Sequence, residues 1–303
     1  MAVAKREWRD LNGVLLLDKS TGYSSNAALQ KARYCFQARK AGHTGSLDPL
    51  ASGLLPVCFG EATKFSGFLL DSDKRYEVRI RLGVETDTGD SEGRELRHAP
   101  VPPLTDLMLD SVLSEFKGPI LQTPPMYSAL KHQGRRLYDL ARQGIEVDRP
   151  ARPVTIYDIK LLGFDESTLS LDVLCSKGTY IRSLAESIGA HLGCGGHVEM
   201  LRRTGAGGFS VQEAITQEGL EAQSEPEREQ GLKPLSVLVG GLPRLVLEVP
   251  EALRVQHGNE IQIAETGLEG VVSLFDAEER FYGVGMIAQQ GRLLPKRMVS
   301  ISP

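Results

Sequence analysis

The chain has 303 residues, 41% hydrophobic and 24% charged, close to the balance of folded globular proteins; this excludes a largely disordered chain and leaves room for one large domain and a small one. Its four cysteines, at 35, 58, 175 and 194, form no C-x-x-C pair and no zinc-type spacing with histidine, which argues against a disulfide scaffold or structural zinc and suits a reducing compartment. The net charge of −4 is unevenly spread: residues 1–45 carry +5 and 126–203 carry +2, whereas 46–125 and 204–303 carry −5 and −6, a pattern that permits a polyanion at a local patch and argues against general coating of nucleic acid.

The opening MAVAKREWRD is charged where a signal peptide is apolar, and no run reaches the roughly 20 apolar residues of a membrane span, so a soluble cytoplasmic protein is expected. Val14 to Leu17 reads as a buried strand broken by Asp18 to Gly22, and a helix capped by Ser24 or Ser25 follows, with Leu29, Ala32 and Phe36 at helical spacing. Gly42 to Pro49 holds too much glycine and too little periodicity for a regular element and reads as a loop. Leu54 to Phe59 predicts a strand and Glu61 to Leu70 a helix. Arg75 to Leu82 alternates cleanly, with Tyr76, Val78, Ile80 and Leu82 on one face and Arg75, Glu77, Arg79 and Arg81 on the other.

Thr86 to Gly93 is a polar turn, and Leu107 to Phe116 an amphipathic helix that Thr105 can cap. A Thr123-Pro124-Pro125 break precedes a helix near Arg135 to Arg142. Strands follow at Val154 to Leu162 and Leu169 to Cys175. Lys177-Gly178-Thr179 then opens a helix with Ile181, Leu184, Ala185, Ile188 and Leu192 on one stripe, before a further strand at Val198 to Arg203. The Glu- and Gln-rich stretch 213–233 predicts a solvated helix and linker. Beyond Pro243, short strands at 245–249, 260–263, 271–275, 281–286 and 297–301 predict a compact β module. A catalytic domain over 1–240 and a terminal domain over 241–303 are expected.

Asp48 is the sharpest candidate for chemistry. Pro49 biases it away from the helical region and stiffens the turn, His43 lies five positions upstream, and Ser46 and Ser52 flank it with hydroxyls. Tyr76, first on an aliphatic strand face, either shows its ring to a planar base or caps the core with a wet hydroxyl. Tyr180 and Arg182 project about 200° apart at a helix start, so one of them looks away from the core; a guanidinium there either pairs a carboxylate such as Asp48 or makes a surface ion pair. Tyr127, Lys131, Arg135, Arg136 and Tyr138 interleave aromatics and cations, as RNA binding or a mixed helix face would. G-x-G-x-x-G, P-loop and G-x-S-x-G motifs are absent.

Three blocks resemble the bacterial tRNA pseudouridine-55 synthases, the TruB family: GVLLLDKSTGYSSN at 13–26, AGHTGSLDPLASGLLPVCFGEATKF at 41–65 and CSKGTYIRSLAE at 175–186. Segments at 71–83, 123–147 and 193–203 add to the likeness, which runs from about Gly13 to Val211 and is weak over the last hundred residues. The resemblance implies an α+β, mixed-sheet pseudouridine synthase fold with an inserted RNA-gripping segment and a small β-rich C-terminal PUA-like domain. It implies Asp48 as nucleophile, His43 holding a splayed T-loop, Tyr76 stacking on the base, Tyr180 touching substrate, Arg182 pairing the carboxylate and Leu201 lining the pocket. Ser20 stands where many relatives have Pro.

The expected partner is the T-arm stem-loop of tRNA, with no cofactor, no membrane and no obligate protein partner, the chain acting as a monomer. Moving uracil from N1 to C5 attachment oxidises and hydrolyses nothing, so one ionised carboxylate near the sugar suffices. Two other readings stand beside this: a tRNA-binding folding helper, and a glycoside hydrolase in which Asp87 or Asp90 supplies a second carboxylate.

Overall fold

The computed structural model describes residues 7–264 and 266–300. Ten strands form one mixed sheet: β1 Gly13–Lys19, β2 Ala41–His43, β3 Ser52–Phe59, β4 Lys74–Leu82, β5 Gly118–Gln122, β6 Arg152–Phe164, β7 Thr168–Cys175, β8 Gly196–Ala206, β9 Phe209–Ser210 and β10 Ile215–Thr216. Their order is β10-β1-β3-β8-β4-β7-β6-β5, with β2 on β3 and β9 on β8. β1 with β10 and β3 with β8 are parallel; the other pairs are antiparallel.

The apolar run of β1 is continuous because both faces are covered. Val14 and Leu16 pack with Leu54, Cys58 and Phe65, while Leu15 and Leu17 pack with Leu29, Ala32 and Phe36 of α1, Ser25–Cys35, and its C-cap. Ser24 caps α1, its hydroxyl accepting from the Ala27 N–H at 3.1 Å. β4 shows the predicted alternation and begins one residue earlier, at a buried Lys74. Its inward Val78, Ile80 and Leu82 meet the stripe Ile181, Leu184, Ala185 and Ile188 of a later helix, Ile181–His191, and Val198 and Leu201 of β8.

The predicted helix over 61–70 is instead a 3-10 turn, Gly60–Lys64, followed by α2, Ser66–Leu70; Ser66 and Gly67 are weak helix formers and the chain kinks at Phe65 between them. Asp106–Glu115 is α3, and Thr105 caps it as expected. Of the predicted helix near 135–142 only α4, Leu137–Ala141, is helical, since Arg135 and Arg136 pair in a hairpin with Lys131 and His132. α5, Ile181–His191, starts after the Lys177–Tyr180 turn. Stretch 213–233 holds two short helices, α6 Gln217–Ala222 and α7 Glu225–Gln230, begun at Thr216 and Ser224; Leu220 is buried among the α1 contacts, so α6 is not merely solvated.

A second sheet holds β11 Arg244–Val246, β12 Ile261–Gln262, β13 Gly270–Phe275, β14 Phe281–Ala288 and β15 Arg292–Met298, in the order β11-β13-β14-β15-β12. The predicted strand at 245–249 ends at Val246, and α8, Val249–Gln256, follows, signalled by Pro250 in its first turn and a Glu248/Glu251 capping box. The end of the strand predicted at 297–301 lies outside the described residues. Val284 joins the cluster of Val14, Leu54 and Phe65, and the Phe281 ring meets Phe65 edge-on at 5.3 Å, so the terminal sheet rests on the large one.

Candidate active site

The Asp48 loop is held from every side. The Ser25 hydroxyl accepts from the Leu47 N–H at 2.6 Å and donates to the Leu47 carbonyl at 2.9 Å, so the second hydroxyl of the predicted cap pair anchors the loop rather than the helix. The Pro49 carbonyl accepts from the Gly22 N–H at 2.9 Å, and the Gly45 carbonyl from Arg203 at 3.2 Å. β3 then passes so close to β8 that a side chain at Gly53, where φ is +101°, would put Cβ 2.3 Å from the Arg203 carbonyl; only glycine fits.

Beside this loop lies a cavity of about 300 Å³. Asp48, Tyr76, Tyr180, Arg182 and Leu201, carried by the loop, β4, the turn before α5, α5 and β8, all line it, and Asp48 is the one carboxylate among the described lining residues. Arg182 is 4% exposed and fully engaged: Nε meets Asp48 Oδ2 at 3.0 Å, Nη1 donates to the Thr88 carbonyl at 2.8 Å, and Nη2 donates to the Tyr127 carbonyl at 2.6 Å. Asp90 Oδ2 stands 3.6 Å from Nη1. A planar fork with several fixed donors suits this; a lysine could not make these contacts together. Arg182 therefore pairs Asp48, one of its two predicted alternatives.

Burial pushes the Asp48 carboxyl above its ordinary value, opposed by Arg182 and, more weakly, by Lys19, while Asp90 adds to the rise. The arginine pulls toward the ionised form as the sequence suggests, but burial outweighs it. The carboxylate keeps a path to the cavity, its side chain being 43% exposed. Burial also raises the Tyr76 and Tyr180 hydroxyls, opposed at Tyr76 by the charge of Arg203.

His43 sits on β2, opposite Val57, and is not among the cavity-lining residues. Its buried Nδ1 has no hydrogen-bond partner, and burial, helped by Arg203, lowers its pKa. The Ser52 hydroxyl turns to Arg202 at 3.4 Å rather than to Asp48. Neither Asp87 nor Asp90 lines the cavity: Asp87 accepts from the Arg94 N–H at 2.8 Å, and Asp90 lies behind Arg182, so the glycosidase reading lacks its second carboxylate.

Three residues escaped the sequence reading. Lys19, fully buried, donates to the Ser20 carbonyl at 2.9 Å, and burial lowers its pKa to about 8. Arg203, 1% exposed, donates to the Leu54 carbonyl at 2.7 Å and lines the cavity beside Tyr76. Gln122 bonds the backbone of Tyr180. The signal for Lys19 was its place at the end of an apolar strand; Arg203, beside Arg202 in a mixed strand, gave none.

Residues 33–181 match the N-terminal domain of the TruB family of pseudouridylate synthases, residues 182–253 a tRNA pseudouridylate synthase B C-terminal domain, and residues 243–299 the TruB C-terminal domain of pseudouridine synthase II. The chain is 51% identical over 294 residues to tRNA pseudouridine synthase B of Nitrosococcus oceani, covering 96% of each, and 48% identical over 302 residues to that of Aeromonas salmonicida, covering 96% and 94%. The chain belongs to the TruB family. It is thus a pseudouridine synthase, an isomerase with the mixed-sheet fold of that family. Among solved structures it resembles a chain of a Cbf5-Nop10-Gar1 complex, with a TM-score of 0.73 and 26% identity over 92% of this chain and 79% of that one. Among the described residues no helix is long and apolar enough to cross a membrane.

Proposed function

We propose that this synthase converts uridine to pseudouridine in tRNA, at position 55 of the T-loop, with Asp48 as the catalytic carboxylate and Arg182 as its partner. The tRNA substrate is supported by relatives named tRNA pseudouridine synthase B at about half identity over nearly the whole chain. The observation that carries the chemistry is that the cavity's one carboxylate is paired by a buried guanidinium and shares that cavity with an aromatic ring.

The stacked uridine is extruded at a cost of a few kcal/mol and enters a cavity at the small end of ligand pockets, sized for one nucleoside. Asp48 acts at the sugar, by attack on C1′ or by removing a sugar proton; either way the N1–C1′ bond breaks with its electrons going to uracil. The free base turns against Tyr76 and its C5 bonds to C1′, displacing Asp48 from C1′ on the first route or with Asp48 returning the sugar proton on the second, and the C5 proton is then lost to solvent. Leu201 and the Tyr76 ring keep water from C1′, which favours rejoining over hydrolysis. Tyr180 touches the substrate, and His43, beside the cavity, holds the opened loop. Segment 123–150, with Arg136 and Arg142 stacked on Tyr138 at 5.6 Å, grips the RNA. The catalytic unit spans 1–240, and the chain works as a cytoplasmic monomer on the T-arm.

Asp48→Asn tests this. It should stop tritium release from C5-labelled uridine in tRNA while leaving tRNA binding intact; turnover by this variant would remove Asp48 from the chemistry.

A further inference from the structure

Gln122 ends β5, the outer strand of the large sheet, where the usual burial is inverted: Leu121 is 75% exposed and Gln122 only 6%. The buried carboxamide reaches the residue before α5. Its Oε1 accepts from the Tyr180 N–H at 2.7 Å, and its Nε2 donates to the Tyr180 carbonyl at 2.9 Å. No side chain caps α5 at Tyr180. The chain leaving β5 holds the next residues too: the Ser183 hydroxyl donates to the Thr123 carbonyl at 3.1 Å, and Arg182 Nη2 to that of Tyr127.

Two bonds from one planar amide to both polar groups of one residue fix where that residue sits and how it is turned. Tyr180 and Arg182, the residue it precedes by two, both line the reaction cavity; Gln122 does not. An apolar residue at 122 would strand the Tyr180 N–H and remove the two bonds that fix how Tyr180 is turned where α5 begins.

We propose that Gln122 is a positioning residue for the isomerisation, a two-point clamp on Tyr180 that holds the first turn of α5 so that the Arg182 Nε meets Asp48. This rests on the reading of Asp48 and Arg182 given above. Gln122 touches neither substrate nor the reacting carboxylate, so its removal lowers the rate of the bound complex and not the affinity for tRNA.

Gln122→Met, of similar length and without the amide, should lower single-turnover tritium release about 10- to 100-fold, the effect of a displacement near 1 Å at a reacting group, with the tRNA Kd changed less than about threefold. In an Arg182→Lys background the same substitution should cost less than about threefold, because the geometry it protects is already lost. Gln122→Asn, one methylene short, should fall between wild type and Gln122→Met, and it carries the test if circular dichroism shows the methionine variant unfolded. A rate within about twofold of wild type in both variants, equal losses in the two backgrounds, or a parallel loss of tRNA affinity would each overturn the proposal. Asp48→Asn is assayed alongside: if it turns over, the reading of the site fails, whatever Gln122 does.

Discussion

Replacing Arg182 by methionine separates the two things the guanidinium does. Toward the cavity it pairs Asp48, whose side chain is 43% exposed; toward the interior it faces Asp90, and there both side chains are 5% exposed. Solvent screens the first contact and not the second, so the stability loss is assigned to the Asp90 side, where stranding one charge of a buried pair costs about 3–5 kcal/mol. Asp90 keeps bonds from the Thr88 hydroxyl at 2.6 Å and the Glu92 N–H at 3.1 Å, which places the loss at the lower end of that range. The kinetic effect comes from the Asp48 side. Burial already raises that carboxyl, and Arg182 is the largest opposing influence. Without it the pKa rises further, fewer molecules carry the ionised carboxylate at low pH, and the acid limb of the rate profile moves to higher pH. Misplacement of Asp48 lowers the plateau as well, by about 10²-fold. Tritium release from pH 5 to 9 gives the profile, and urea unfolding gives the stability. Arg182→Met/Asp90→Asn, which removes the stranded charge, should regain most of the stability but only part of the acid limb, the part that the Asp90 charge adds to the rise of Asp48. An acid limb that superimposes on that of the wild type would refute the pairing as a control on ionisation, and full stability in the single variant would refute the burial reasoning.

Two further substitutions test the frame around the site. Gly53→Ala should cost about 3 kcal/mol in urea unfolding, because the backbone sits at φ +101° and Cβ would meet the Arg203 carbonyl at 2.3 Å; a loss under about 1 kcal/mol would show that β3 and β8 can part cheaply. Burial lowers Lys19 and Lys74 from 10.5 to about 8, so between these values the unfolded chain binds more protons than the folded one and stability rises with pH. Lys19→Met should flatten that rise when urea midpoints are compared from pH 8 to 10.5, and an unchanged slope would mean that the Lys19 ammonium is not desolvated.

What could be read from the sequence is what depends on neighbours along the chain. The alternation of β4, the Thr105 cap and the Asp-Pro turn each need only a few adjacent residues, and the structure shows each of them where the periodicity and turn chemistry predict. What could not be read depends on register between distant strands. β5 was invisible because its buried residue is polar and its exposed one is leucine, a reversal that makes sense only once Tyr180, 58 residues on, is seen to accept the clamp. Arg203 looks like one of two surface cations in Arg202-Arg203 until β8 pairs with β3: Arg202 then reaches Asp18 at 2.6 Å at the edge of solvent, and Arg203 turns inward to the Leu54 carbonyl. Asp90 reads as a turn residue, and it becomes the inner partner of Arg182 only through its bridge to Val198 of β8. The carboxylate proposed to react is thus announced by its own loop, whereas the groups that set its charge and angle are assembled by the sheet. Substitutions at the second kind should change rate and pH dependence before they change the fold.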